Sequence, residues 1–165
     1  MGNAIREAER EDIDEVQEVA HRSWEDTYAD ILGKEEIDET VDDWYSTETL
    51  EDAIRMPDSS FLVYDDGDEI GGFSHAVVNG DEADLLRLYV DPRHRREGIG
   101  TRLLHETRER LSDLGVERLK VFVLADNKVG NAFYQSLGFK KDDTNETEIE
   151  GEPYEENVYV IEVGE

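Results

Sequence analysis

A chain of 165 residues can bury one substantial core but is short for two. Its 44 acidic against 17 basic residues give a formal charge of -27, which repels nucleic-acid phosphates and anionic membrane surfaces over most of the molecule. The absence of cysteine excludes disulfides, thiolate metal sites and cysteine nucleophiles; with no long apolar run or signal peptide near Met1, the expected location is the cytoplasm.

Asn3 to Ala8 reads as a short edge strand, followed from about Asp12 by a helix whose Ile13, Val16, Ala20 and Trp24 share one face. A second helix is predicted over roughly Glu35 to Tyr45, where Ile37, Val41 and Trp44 recur at three-to-four spacing. Leu50 to Met56 adds a short helix before Pro57. Between the first two helices lie Trp24, Tyr28, Ile31 and Leu32, large side chains whose spacing suits inward packing. From Ser60 the helical period gives way to strands. Phe61 to Tyr64 reads as a strand, Asp65-Asp66-Gly67-Asp68 as a turn and Ile70 to Val78 as the antiparallel partner. Asn79-Gly80-Asp81 is a further turn, so the apolar run Leu85 to Val90 becomes the third strand of a meander, ended by Asp91-Pro92.

Next come the basic residues Arg93, His94, Arg95 and Arg96, then Gly98 and Gly100, then a helix carrying Ile99, Leu103, Leu104, Thr107, Leu111 and Leu114 on one side until Gly115 stops it. A helix opening at Gly98 aims unpaired N–H groups and its positive dipole end into the glycine loop, an arrangement that suits a diphosphate. Val116 to Leu124 follows as a buried strand parallel to the one before the loop. Lys128 to Leu137 forms a short helix with Ala132, Phe133 and Leu137 toward the core, and Phe139 enters another strand. The acidic stretch Asp142 to Gly151 reads as a solvated hairpin loop with ragged strand ends, and Tyr154 to Val163 closes the sheet. The expected fold is one α/β (α+β) domain over residues 1–165, a mixed and mostly antiparallel sheet with helices on both faces. His94 and His105 have no acidic or histidine partner at ligand spacing, read as surface residues, and no metal site is expected.

Two blocks resemble a known family. Arg95-Arg96-Glu97-Gly98-Ile99-Gly100 matches the R/Q-x-x-G-x-G/A signature of the GCN5-related N-acetyltransferases (GNAT) and stands, as there, between a strand and a helix. Asn127 to Phe139, NKVGNAFYQSLGF, resembles that family's N-x-x-x-x-x-F/L-Y-x-x-x-G-F segment. The likeness is detailed from about Asp84 to Phe139 and general in layout elsewhere. It implies transfer of an acetyl group from acetyl-CoA, without a metal, to a primary amine of a small molecule or peptide by direct attack in a ternary complex.

By the same resemblance, a bulge in the central strand frees backbone N–H groups at Leu88, Tyr89 and Val90 for the pantetheine arm. Arg95, Arg96, Glu97, Gly98, Ile99, Gly100 and Thr101 hold the phosphates. Asn127 and Asn131 reach the cofactor amides, although both equally suit local helix capping. Tyr134 returns a proton to the leaving thiolate, its alternative role being a core tyrosine with a satisfied hydroxyl. Trp24 and Tyr28 fall on the acceptor side. Some members acting on protein N-termini carry a glutamate where this chain has Phe122, and Glu25, Asp26, Glu82 and Asp84 are candidate carboxylates with none assigned as base. A non-catalytic acyl-CoA-binding or sensing module would keep the cradle without needing Tyr134. A nucleotide-binding domain lacks its motif, since neither GxGxxG nor GxxxxGK[ST] is present. The expected partners are acetyl-CoA and an amine, with no nucleic acid or membrane, in a monomer or homodimer. Acid spread over every segment with only five lysines resembles proteins of salt-accumulating halophiles, in which salt screens self-repulsion.

Overall fold

The computed structural model describes residues 4–94, 98–149 and 151–163. In chain order the elements are β1 (Ala4–Glu7), α1 (Ile13–Tyr28), α2 (Lys34–Trp44), α3 (Thr47–Arg55), β2 (Ser59–Asp65), β3 (Ile70–Asn79) and β4 (Glu82–Val90). After the glycine loop follow α4 (Ile99–Asp113), β5 (Arg118–Leu124), α5 (Lys128–Ser136), β6 (Lys140–Ile149) and β7 (Glu152–Glu162). All seven strands join one sheet in the order β1-β2-β3-β4-β5-β7-β6. The β4–β5 pair is parallel, as a strand–helix–strand crossover requires, and the other pairs are antiparallel.

The period-two alternation divides the core between the two sheet faces. In β2, Phe61 and Val63 pack under α1–α3 with Val16, Trp24, Ile37, Leu50 and Phe73, whereas Leu62 and Tyr64 meet Ile99 and Leu103 of α4 on the other face. Further along that second face, Leu104 and Leu111 of α4 and Tyr134 of α5 cover Leu85, Leu119, Val121 and Tyr159. Helices therefore flank both faces, as expected. No helix among the described residues is long and apolar enough to cross a membrane.

One segment departs from expectation. Asp142 to Gly151 is not a solvated loop: β6 runs from Lys140 to Ile149 and pairs along β7 to the turn, with one register shift between Lys141 and Asp143. Most of its side chains are exposed on both faces, so no hydrophobic alternation marks it; its order comes from backbone pairing and from Ile149, which is buried in the α1–α3 cluster. Gly151, at φ 82, supplies the left-handed residue the tight turn needs.

Candidate active site

β4 and β5 pair only from Glu82↔Arg118 to Leu85↔Val121, and then part. The cause lies in β4: its register with β3 steps from Ala76↔Leu85 to His75↔Arg87, which leaves Leu86 as an extra, bulged residue. The expected bulge is thus present, just upstream of Leu88, Tyr89 and Val90. Beyond it β4 keeps a partner on its β3 side and β5 on its β7 side, with no ladder between the two.

The parting opens a cleft of about 410 Å³, within the range of small-molecule sites. Leu88, Tyr89 and Val90 line one wall and Val121, Phe122 and Val123 the other. Gly98, Ile99, Gly100 and Thr101 form one end, while Asn127, Gly130 and Tyr134 of the α5 region and Tyr28 of α1 complete it. Arg95, Arg96 and Glu97 lie outside the described residues.

Gly98 caps α4 at φ 74 with no atom of the described residues within 4 Å of where a Cβ would stand, and the first turn of the helix lines the cleft. Gly100 is closer packed: a Cβ there would lie 3.4 Å from Phe133 Cζ and 3.6 Å from Val90 Cγ2. An N-terminus with bare backbone toward a cavity fits the phosphate-bearing end of coenzyme A.

Tyr134 is 7% exposed and edge-on to Phe133 and Phe139, with ring centroids 5.1 and 5.3 Å away. Burial, and after it the neighbouring Tyr28, hold its pKa well above that of an ordinary phenol, so it is protonated at neutral pH. Nothing among the described residues hydrogen-bonds its hydroxyl. Tyr28, also lining the cleft, is pushed up to about 12, chiefly by burial.

The other predicted residues divide. Asn127 lines the cleft but also caps α5, its Oδ1 accepting from Gly130 N at 2.9 Å. A Cβ on residue 130 would come within 2.5 Å of Asn127 Nδ2, which accounts for the glycine. Asn131 is turned away from the cleft. Its Nδ2 donates to Leu124 O at 3.0 Å and Asn127 O at 2.7 Å, and its Oδ1 accepts from Asn157 Nδ2 at 2.8 Å and the Tyr159 hydroxyl at 2.6 Å. That side chain ties the end of β5 to α5 and β7. Trp24 is 3% exposed among Tyr28, Trp44 and Tyr89, behind the cleft wall and not on it.

His94 is not a surface residue. It lines the cleft with its Nε2 2.8 Å from Glu69 Oε2 and 3.8 Å from Asp66, a pairing supplied by the β2–β3 turn. These three residues offer ligand atoms within 4.8 Å of one another, and Arg93, 3.3 Å from Glu69, joins them in an ion-pair network. His105 is exposed, as expected, but has the acidic partner that sequence reading denied it, Glu109 one turn on with its Oε1 3.0 Å from Nε2. None of Glu25, Asp26, Glu82 and Asp84 lines the cleft. Glu82 pairs with Arg118 and Lys120, and Glu25 with His21. The Asp84 carboxyl is raised mainly by burial, with Lys120 opposing and Glu82 adding to the rise.

Asp91 escaped sequence reasoning. It is fully buried at the end of β4, where its Oδ2 accepts from Arg22 Nε at 2.8 Å and Arg93 Nη2 at 3.0 Å, and its Oδ1 from Arg93 N at 3.0 Å. Beside it Ser23 Oγ donates to Val90 O at 3.1 Å. Together these bonds lock α1 to the start of the glycine loop. No local pattern announces a pairing between residues so far apart in the chain.

Residues 13–139 match the Acetyltransferase (GNAT) family. The chain belongs to that family. Spermidine N(1)-acetyltransferase of Thermoplasma acidophilum is 34% identical over 149 residues, which cover 88% of this chain and 92% of that protein. The ribosomal-protein alanine N-acetyltransferase of Escherichia coli is 37% identical over a shorter 73 residues, 44% of this chain and 49% of that one. The crystal structure of PaiA N-acetyltransferase from Thermoplasma acidophilum in complex with coenzyme A superposes with a TM-score of 0.86 at 32% identity, covering 95% of this chain and 98% of that chain. The GNAT fold and the expectation of an acetyl-CoA-dependent N-acetyltransferase are borne out.

Proposed function

We propose that this GNAT enzyme binds acetyl-CoA between the parted strands and passes the acetyl group to a primary amine by direct attack within a ternary complex. The parting of β4 from β5 beside a buried, protonated Tyr134 carries this reading. Bound acetyl-CoA supplies a thioester, an acyl group already activated toward amines. Gly98, Ile99, Gly100 and Thr101 meet its phosphates, assisted by Arg95 and Arg96. Open N–H groups of β4 between Leu88 and Val90 orient the pantetheine arm and polarise the carbonyl. Asn127 braces the opposite wall, and Tyr28 borders the acceptor. Tyr134 holds a proton at its hydroxyl for the sulfur that leaves. Among the described residues no Asp or Glu lines the cleft, and a water chain serves to carry off the proton lost by the amine. The acid excess suits a chain that works in a high-salt cytoplasm, as a monomer or homodimer.

Following thiol release from acetyl-CoA over a panel of primary amines, in molar KCl, tests the proposal. Amine-dependent release is the expected result. Tight binding of acetyl-CoA without release toward any amine would favour the sensing module instead.

A further inference from the structure

The described lining of the cleft differs in charge from the acidic chain around it. Acidic residues number 44 of 165 in the chain, yet among the described residues none lines it. Arg87 does. The bulge at Leu86 decides its direction: Leu85 and Leu88 both pack toward α4, so Arg87 and Tyr89 between and beyond them face the α1–α3 side, the side the proposed function gives to the acceptor.

All the partners of Arg87 are neutral. Its Nη1 lies 2.8 Å from His75 Nδ1, its Nη2 donates to Trp44 O at 2.9 Å, and the guanidinium stands 4.9 Å from the Tyr45 ring centroid. Burial, with the arginine charge second, holds the His75 pKa down to about 3, so that ring is an uncharged acceptor. Among the described residues no carboxylate comes within 4.0 Å of Arg87, whereas Arg6, Arg22, Arg93, Arg110 and Arg118 each reach one. A guanidinium has five N–H donors, and these contacts engage two. Next to it Leu86 and Phe122, 50% and 37% exposed, give the same cleft an apolar shelf.

Resting on the acetyl-transfer reading above, we propose that Arg87 determines acceptor specificity by receiving the carboxylate of an amine that is also an acid, an amino-acid-like or peptide-like acceptor. A carboxylate would take up the unengaged donors as a charge-assisted fork. Strand residues advance about 3.3 Å each, so Arg87 stands within a small acceptor's length of the N–H groups at Leu88 to Val90. A polyamine would instead bring several positive charges to a cleft whose described lining offers an arginine and no acid to balance them. The inference therefore departs from the acceptor in the name of the Thermoplasma acidophilum relative.

Matched pairs that differ only in the carboxylate decide the matter: phenylalanine against phenethylamine and lysine against cadaverine, with spermidine as the polycation. Each is titrated by calorimetry into the full chain bound to coenzyme A, for the parent, Arg87→Gln and Arg87→Lys. In the parent, the acid of at least one pair should bind roughly 10–100-fold more tightly than its decarboxylated partner, the worth of hydrogen bonds to a charged group. Arg87→Gln should abolish the preference and Arg87→Lys retain part of it, with coenzyme A affinity reporting an intact cleft. Equal or tighter binding of the decarboxylated members and spermidine by the parent, or a preference that survives Arg87→Gln, overturns the proposal. So does failure of both acids to bind. The parent data alone suffice if a variant does not fold. Because binding needs no turnover, these outcomes stay separate from failure of the acetyl-transfer reading, which shows as absent thiol release.

Discussion

Replacing Asp91 by asparagine tests how the glycine loop is anchored. The substitution keeps the shape, and its remaining carbonyl oxygen can still accept from Arg93 N, but it removes the charge that Arg22 and Arg93 share. Breaking a buried ion pair costs about 3–5 kcal/mol, and the half-exposed Arg93 and the retained hydrogen bond favour the low end. Titration gives an independent figure. Burial alone would raise the Asp91 pKa, yet the bonds from Arg93 and then Arg22 outweigh it and bring the group from 3.8 to about 2. That difference corresponds to ~2 kcal/mol. A depressed carboxyl stabilises the fold fully above its unfolded value and loses that contribution as pH falls through the folded one. Denaturant titrations of both proteins should therefore differ by about 2–3 kcal/mol near neutral pH, and the gap should close as pH falls from about 4 to 2. Taking the difference between variants removes the many carboxylates they share. A buried pair is little screened, so the gap should persist in molar KCl. A gap under about 0.5 kcal/mol at neutral pH, or one indifferent to acid, would refute the reasoning. Coenzyme A affinity should also weaken in the variant, since α1 would no longer hold the start of the loop.

Tyr134→Phe should lower kcat by roughly 10²–10⁴-fold while keeping the melting temperature and coenzyme A affinity, because no described partner loses a bond to that hydroxyl; loss of stability with unchanged turnover would mark a structural tyrosine. Gly98→Val places a β-branched side chain at φ 74, costs about 1–2 kcal/mol in backbone strain and fills the space before the helix N-terminus, so coenzyme A affinity measured by calorimetry should fall sharply. Gly100→Ala meets only ordinary contacts and should bind nearly as the parent does; equal affinity across all three proteins would remove the phosphate end from this loop. Thermal melts should shift upward from dilute buffer to molar KCl because a charge of -27 repels itself unless screened, and an unchanged melting temperature would end the halophilic reading.

Most elements were legible because burial leaves a local signal: the three-to-four stripe of α1, the short apolar runs of β2 and β3 bounded by turn residues, and the glycines that open and close α4 all sit within a few residues of what they control. The two family blocks are likewise contiguous, so they read without a structure. What tertiary structure alone decided concerns partners distant in the chain. β6 bears no apolar pattern because water meets most of its side chains, and only β7 beside it makes it a strand. Asn131 stands in a cofactor motif, yet Asn157 and Tyr159 arrive from β7 to claim its side chain. Glu69 reaches His94 and Arg22 reaches Asp91 only once turns and helices are in place. A single bulged residue, Leu86, turns Arg87 toward the α1–α3 face, beside His75, Trp44 and Tyr45. Periodicity records whether a side chain is buried; which groups meet there depends on strand order and register, and one residue's shift in register exchanges the faces of a sheet.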